Sequence, residues 1–227
     1  MPPEWLNHLA AVYVPLSIAS ALLVLGDILV LRRRQPMAIM DAVWPLTMLY
    51  WGPPGLVFYG WFGRAPARPA SGHGGDHDHG NEPMWQATFN GATHCGAGCA
   101  LGDFLGDWLA FGAGLALFGS PLVAELLLAF CLAYAFGILF QFFSVAPMRG
   151  LGLRDGLVAA ARIDTLSLLA YEVGMFAAMV ARARAFPHLA PTTWTYWLLM
   201  QAAMVLGFAT TYPINWWLVA RGIKEKM

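Results

Sequence analysis

The sequence predicts an all-α fold, a polytopic membrane helix bundle of about six hydrophobic helical segments with one of them broken or re-entrant. Three observations carry this. Of 227 residues 59% are hydrophobic and only 11% charged, against about 25% charged in soluble domains. Mean hydropathy is +0.57, and several apolar runs exceed the roughly 18–20 residues that cross a bilayer. The 13 Lys and Arg residues, balanced by 13 Asp and Glu, gather at the ends of those runs. The lipid bilayer is therefore the expected partner. Nucleic acid is excluded, because no basic surface exists to neutralise phosphates. Glycine-rich phosphate loops, Gly-x-Ser-x-Gly and His-Glu-x-x-His are missing as well, so the motif content favours a protein that is not an enzyme.

The elements follow in chain order. Residues 1–63 read as two N-terminal membrane helices, 64–83 as a His-rich loop and 84–227 as a four-segment membrane domain. The opening residues lack the basic start of a signal peptide, so the first run, about Leu9 to Leu31, reads as a retained span that stops at Arg32-Arg33-Arg34. Asp27, one turn from that end, is expected to snorkel or to pair with an arginine. The second run, about Ala38 to Phe62, holds Pro53-Pro54 between Gly52 and Gly55, which forbids an unbroken helix. The loop carries His73, His77 and His79 alternating with Asp76 and Asp78. That composition cannot bury a core and suits loose capture of divalent copper, zinc or nickel. The third segment starts near Phe89, and the fourth, about Leu122 to Val145, bears Glu125, Gln141 and a cysteine, Cys131, expected to pack in the interior. In the fifth, about Ile163 to Ala181, Glu172 shares a face with Met175 and Met179, while Arg162 and Asp164 are close enough to pair locally. The sixth, Trp194 to Val219, carries Met200, Gln201 and Met204, and the tail with Arg221, Lys224 and Lys226 is expected to stay outside the bilayer.

Crossing number does not resolve from charge. Six crossings divide the basic residues 5 against 8, with the arginine triplet on the poorer side, against the positive-inside rule. If the glycine-rich third segment fails to cross, the division becomes 9 against 4. The third segment is therefore the expected re-entrant one.

The chemistry concentrates in that third segment. Cys95, Cys99, Asp103 and Asp107 recur every four residues, a spacing that drifts only about 40° per step on a helix, so thiols and carboxyls share one face. Beside them Gly98, Gly102, Gly106, Ala110 and Gly114 form a small-residue ladder that admits a neighbouring helix closely. The motif His-Cys-x-x-Gly-Cys-x-x-Gly-Asp, from His94 to Asp103, resembles that of an uncharacterised family of bacterial multi-span membrane proteins, a domain of unknown function. The resemblance runs from about Pro83 to the C-terminus and implies a multi-pass protein of the bacterial inner membrane. It implies no activity.

Four functions fit these residues. Soft-metal binding or transport uses His94, Cys95, Cys99 and Asp103 as ligands for copper, or alternatively zinc. Asp107 and Glu172 then serve as buried acids, and a metallochaperone or metal oxidase is the matching partner. A proton- or ion-coupled carrier instead gives the leading part to the acids. A thiol–disulfide oxidoreductase would use Cys95 and Cys99, although three intervening residues depart from the usual two. A non-catalytic assembly factor would use the glycine ladder as its docking face.

Overall fold

The computed structural model describes residues 1–66 and 83–224. His73, His77 and His79 lie outside the described residues. Within them the chain is all-α, with seven α-helices: α1 Glu4–Leu29, α2 Met40–Trp51, α3 Pro53–Phe58, α4 Met84–Gly112, α5 Pro121–Arg149, α6 Leu153–Ala185 and α7 Trp194–Ala220. Four of these, α1, α5, α6 and α7, are long and apolar enough to cross a membrane. The expectation of about six hydrophobic segments is thus corrected. The second segment is cut into short pieces by Gly52-Pro53, and the third is diluted by glycine, aspartate and histidine.

That second segment is a helical hairpin. Gly52 adopts φ 61°, a left-handed conformation that glycine takes without steric cost, and Pro53 then starts α3 at the first helical position. A π-helical turn, Tyr59–Gly63, continues the return. The contacts along α1 fix where the hairpin goes. The tip is held by Tyr13, whose hydroxyl donates to the Trp51 carbonyl at 2.9 Å. On the way back the Tyr59 hydroxyl donates to Asp27 at 2.8 Å, and the Gln35 amide reaches the Gly63 carbonyl at 2.9 Å. Tyr13 and Asp27 are 14 residues apart on α1, about 21 Å. The chain therefore enters beside Asp27, turns at mid-depth beside Tyr13, and leaves where it entered. It is the second segment that turns back on itself. The third, α4, is an unbroken helix of 29 residues, about 44 Å long.

Asp27 accepts from the Arg64 side chain and lies 3.7 Å from Arg33, which bears out the arginine pairing and shows that two arginines share it. Helix α4 runs up the centre of the bundle. Added methyl groups at Gly98, Gly102 and Gly106 would collide with the backbone of Gly137, Ala133 and Ala129 on α5, so these glycines set the α4–α5 approach. Gly114 meets nothing and falls off the ladder. Cys131 is exposed on α5, correcting its expected burial: the face of α5 that meets α4 is the one carrying Ala129, Ala133 and Gly137. Helices α6 and α7 are tied by side chains as well as packing, since Thr210 donates to the Ala170 carbonyl and Thr211 to the Ser167 carbonyl, each at 2.7 Å.

The bundle has two unlike ends. One gathers the end of α1, both feet of the hairpin, the start of α4, the α5–α6 turn and the end of α7. Among the described residues this half holds Arg32, Arg33, Arg34, Arg64, Arg149, Arg154, Arg162, Arg221 and Lys224, nine basic residues against two, Arg182 and Arg184, in the other half.

Candidate functional site

The face of α4 expected to carry the chemistry is buried along its whole length. Cys95 and Cys99 are 0% exposed, and Asp103 and Asp107 are 1% exposed. From Cys95 to Asp107 the helix rises about 18 Å, more than half of a ~30 Å hydrocarbon core. Glycine and alanine on the other faces of α4 let α5, α7 and the hairpin close around it, and this is why a helix of modest hydropathy can occupy the centre.

At the basic end the stripe meets a buried ion pair. The Lys224 ammonium lies 2.7 Å from Asp164 Oδ1, both side chains 0% exposed, and donates to Cys95 Sγ at 3.3 Å. The Cys95 thiol donates to the same carboxylate oxygen at 3.1 Å. Two expectations are corrected here. Lys224 folds back into the bundle instead of staying outside it, and Asp164 pairs with Lys224 rather than with Arg162, whose side chain is exposed. The ammonium compensates the carboxylate where water is excluded, as a buried charge requires. His94 is buried beside this pair, with its ring edge against Phe140 on α5, centroids 6.2 Å apart.

In the middle, no cation among the described residues pairs with the acids. Asp103 and Glu172 come within electrostatic reach of one another, with the Cys99 thiol facing Glu172. Glu172 is 3% exposed. Among the described residues neither oxygen of Asp103 nor of Glu172 closes a hydrogen bond of ordinary geometry; the Tyr171 hydroxyl beside them is likewise unpartnered, and that of Tyr50 faces Thr47. Tyr50 comes from the tip of the hairpin and touches α4 at Gly96.

At the opposite end Asp107 belongs to a hydrogen-bonded cluster that sequence reading did not foresee. The Tyr196 hydroxyl lies 2.7 Å from Asp107 Oδ2 and 2.9 Å from Glu125 Oε1, so its one proton serves either carboxyl. Arg182 donates to Glu125 at 2.6 Å and stacks over the Tyr196 ring, 4.2 Å from its centroid. Glu125 is therefore a paired acid of this cluster. Asp107, Glu125 and Arg182 line a cavity of about 460 Å³ that opens at this end of the bundle.

Asp103, Asp107 and Glu172 are brought together as one interior track. The metal candidates are not. Among the described residues no group of three or more His, Cys, Asp or Glu side chains converges as ligands of one ion would. His94 turns toward α5, Cys95 toward Asp164 and Lys224, and Cys99 toward Glu172. Met175, Met179, Met200 and Met204 are buried in the apolar core.

No curated protein and no solved structure matches this chain. Residues 84–224, from the first turn of α4 to the lysine that closes on Asp164, match the domain of unknown function DUF4396, and the chain belongs to that family.

Proposed function

We propose that this integral membrane protein is a proton- or cation-coupled carrier whose conducting groups are the interior acids of α4 and α6. The observation that carries the reading is the Asp103–Glu172 pair, two buried carboxyls within electrostatic reach of one another and, among the described residues, without a cationic partner. Burying a bare carboxylate costs several kcal/mol even after the protein relaxes. Charge balance at this point is therefore met by a proton or a bound cation, and intramembrane acids in such settings mark ion pathways. The access route is Asp107, one turn from Asp103 and at the wall of the open cavity. The Tyr196 hydroxyl gives that route a group able to relay a proton between Asp107 and Glu125. At the other end the Lys224–Asp164 pair closes the track with a fixed counter-charge.

The division of basic residues supports an orientation. With the hairpin re-entrant and α4 crossing, the chain makes five crossings, and the half with nine basic residues faces the cytoplasm. The open cavity then faces the other side of the membrane.

The test is proton flux into proteoliposomes that hold a pH-sensitive dye, driven by an imposed gradient. Asp103→Asn and Glu172→Gln, each nearly isosteric, are expected to lower the protein-dependent rate by about 100-fold or more, the lower end of what a positioned proton-transfer group contributes. Unchanged flux in both variants refutes the carrier.

Soft-metal handling is the second reading, favoured by two free, buried thiols one turn apart. It assigns copper or zinc to Cys95 and Cys99, with His94 and Asp103 moving to complete the shell and a metallochaperone or metal oxidase as partner. Metal content of the purified protein and of Cys95→Ser/Cys99→Ser decides it, and equal, negligible content in both removes it.

A further inference from the structure

Between α1, α4 and α7, under the hairpin tip, lies a second cavity of about 390 Å³ that takes no part in the track described above except through one residue, Asp103. Its rim includes Phe104 and Trp194, which are half-exposed on the sides of their helices, so the cavity opens sideways, toward lipid, rather than at an end of the bundle. Four aromatic side chains line it: Phe104, Trp108, Trp194 and Trp197. Trp197 sits at their centre, 5.3 Å from the Phe104 ring and stacked 6.1 Å from Trp108.

The buried polar groups in its wall, Asp103 and Gln201, offer unmet acceptors, whereas Trp108 and Trp194 carry their indole N–H groups on partly exposed side chains. Asp103 brings a carboxyl with two unpartnered oxygens, and Gln201 brings an unpartnered carbonyl Oε1. The donors closest to these acceptors in sequence, on α7, are committed elsewhere. The Gln201 amide donates to the Leu49 carbonyl at 2.6 Å, and the Trp197 indole donates to the Pro191 carbonyl at 2.7 Å. A matching ligand must therefore donate protons to two acceptors, carry positive charge against Asp103, and present an apolar body to aromatic faces. A carboxylate or phosphate head is repelled by Asp103, and a hydrocarbon chain leaves both acceptors unmet. Aromatic faces attract organic cations through the ring quadrupole, more strongly where water is excluded.

We propose that this lateral cavity binds an amphiphilic ammonium compound, a protonated amine on an aromatic or aliphatic body, entering from the bilayer and seated with its nitrogen between Asp103 and Gln201. The proposal rests on the carrier reading in that Asp103 is the acid shared by both. It makes the organic cation the cargo and the proton its counter-ion, two occupants that compete for one carboxyl.

The experiment is isothermal titration of the protein in lipid nanodiscs with 2-(naphthyl)ethylamine, with the uncharged 2-(naphthyl)ethanol as control and empty nanodiscs as blank. Saturable one-to-one binding of the amine is expected, with the alcohol weaker by roughly 30-fold or more, as loss of a desolvated charge-assisted contact implies. Asp103→Asn is expected to bring the amine down to the affinity of the alcohol. Trp197→Ala, which leaves the charges in place, is expected to weaken the amine about tenfold through loss of ring contact. Absence of saturable amine binding, equal affinity for amine and alcohol, or full affinity in both variants overturns the proposal. Amine binding without proton flux would remove the carrier and leave this site standing. Asp103-dependent flux without amine binding would remove this site alone.

Discussion

Replacing Lys224 with methionine removes a charge from the driest part of the molecule and keeps its length. In the structure the ammonium is 2.7 Å from Asp164 Oδ1, and neither side chain is exposed. Breaking such a pair strands one charge without solvent, at a cost of about 3–5 kcal/mol. No surface pair approaches that figure, since exposed ion pairs contribute about 0–1 kcal/mol. The double variant Lys224→Met/Asp164→Asn removes both charges, and most of the loss should return, because a buried pair is worth little over a neutral replacement. Reversible unfolding of the purified protein, in detergent with added denaturant, measures all four corners of this cycle. The same variants report on Cys95, which donates to Asp164 and accepts from Lys224. Lys224→Met should raise the rate of maleimide labelling at that thiol, and a Cys95→Ser control identifies the labelled site. A Lys224→Met protein as stable as the parent refutes the buried tail, and so does a double variant no more stable than the single.

Three further outcomes follow from the packing. Gly102→Ala places a methyl group into the Ala133 backbone and should cost about 1–3 kcal/mol, whereas Gly112→Ala, with nothing near it, should be neutral or slightly stabilising; both are read from the same denaturation curves. Gly52→Ala forces a side chain onto φ 61° and against Ser17 Oγ at 2.6 Å, so it should destabilise by at least about 1 kcal/mol and open the hairpin, measured as faster proteolysis between α2 and α3. Membrane sidedness is read by impermeant thiol reagents on sealed vesicles: Arg34→Cys and Phe118→Cys should label from opposite faces, and same-side labelling refutes the five-crossing arrangement.

The α4 stripe was legible because it is local. Four residues at a constant spacing of four must share a helical face, and the same arithmetic placed Gly98, Gly102 and Gly106 beside it, where they meet α5. The break at Gly52–Pro53 was legible for a similar reason, since proline and glycine act on their own backbone. Its consequence was not. Whether a broken helix continues or turns back depends on partners such as Tyr13 and Gln35, distant in sequence, and charge counting assigned re-entrance to α4 because it assumed the second segment crossed. With the hairpin turned back, the eleven described basic residues divide nine against two. Lys224–Asp164 was invisible for the same cause: 60 residues separate the partners, and a lysine beyond the last span carries no local sign that it folds inward. Glu125 stood alone on its segment and nothing local marked Tyr196 or Arg182; only the crossing of α4, α5, α6 and α7 gathers them around Asp107.

The lateral cavity is assembled from two sources. Asp103, Gln201 and the aromatic wall come from the stretch that defines the family, while Val14, Ile18 and Leu49 come from the first 66 residues. Those three aliphatic side chains complete the wall on the side of α1 and the hairpin. Trimming or enlarging them should change the girth of whatever the chamber admits and leave its demand for positive charge intact, so selectivity by shape and selectivity by charge are housed in separable parts of one polypeptide.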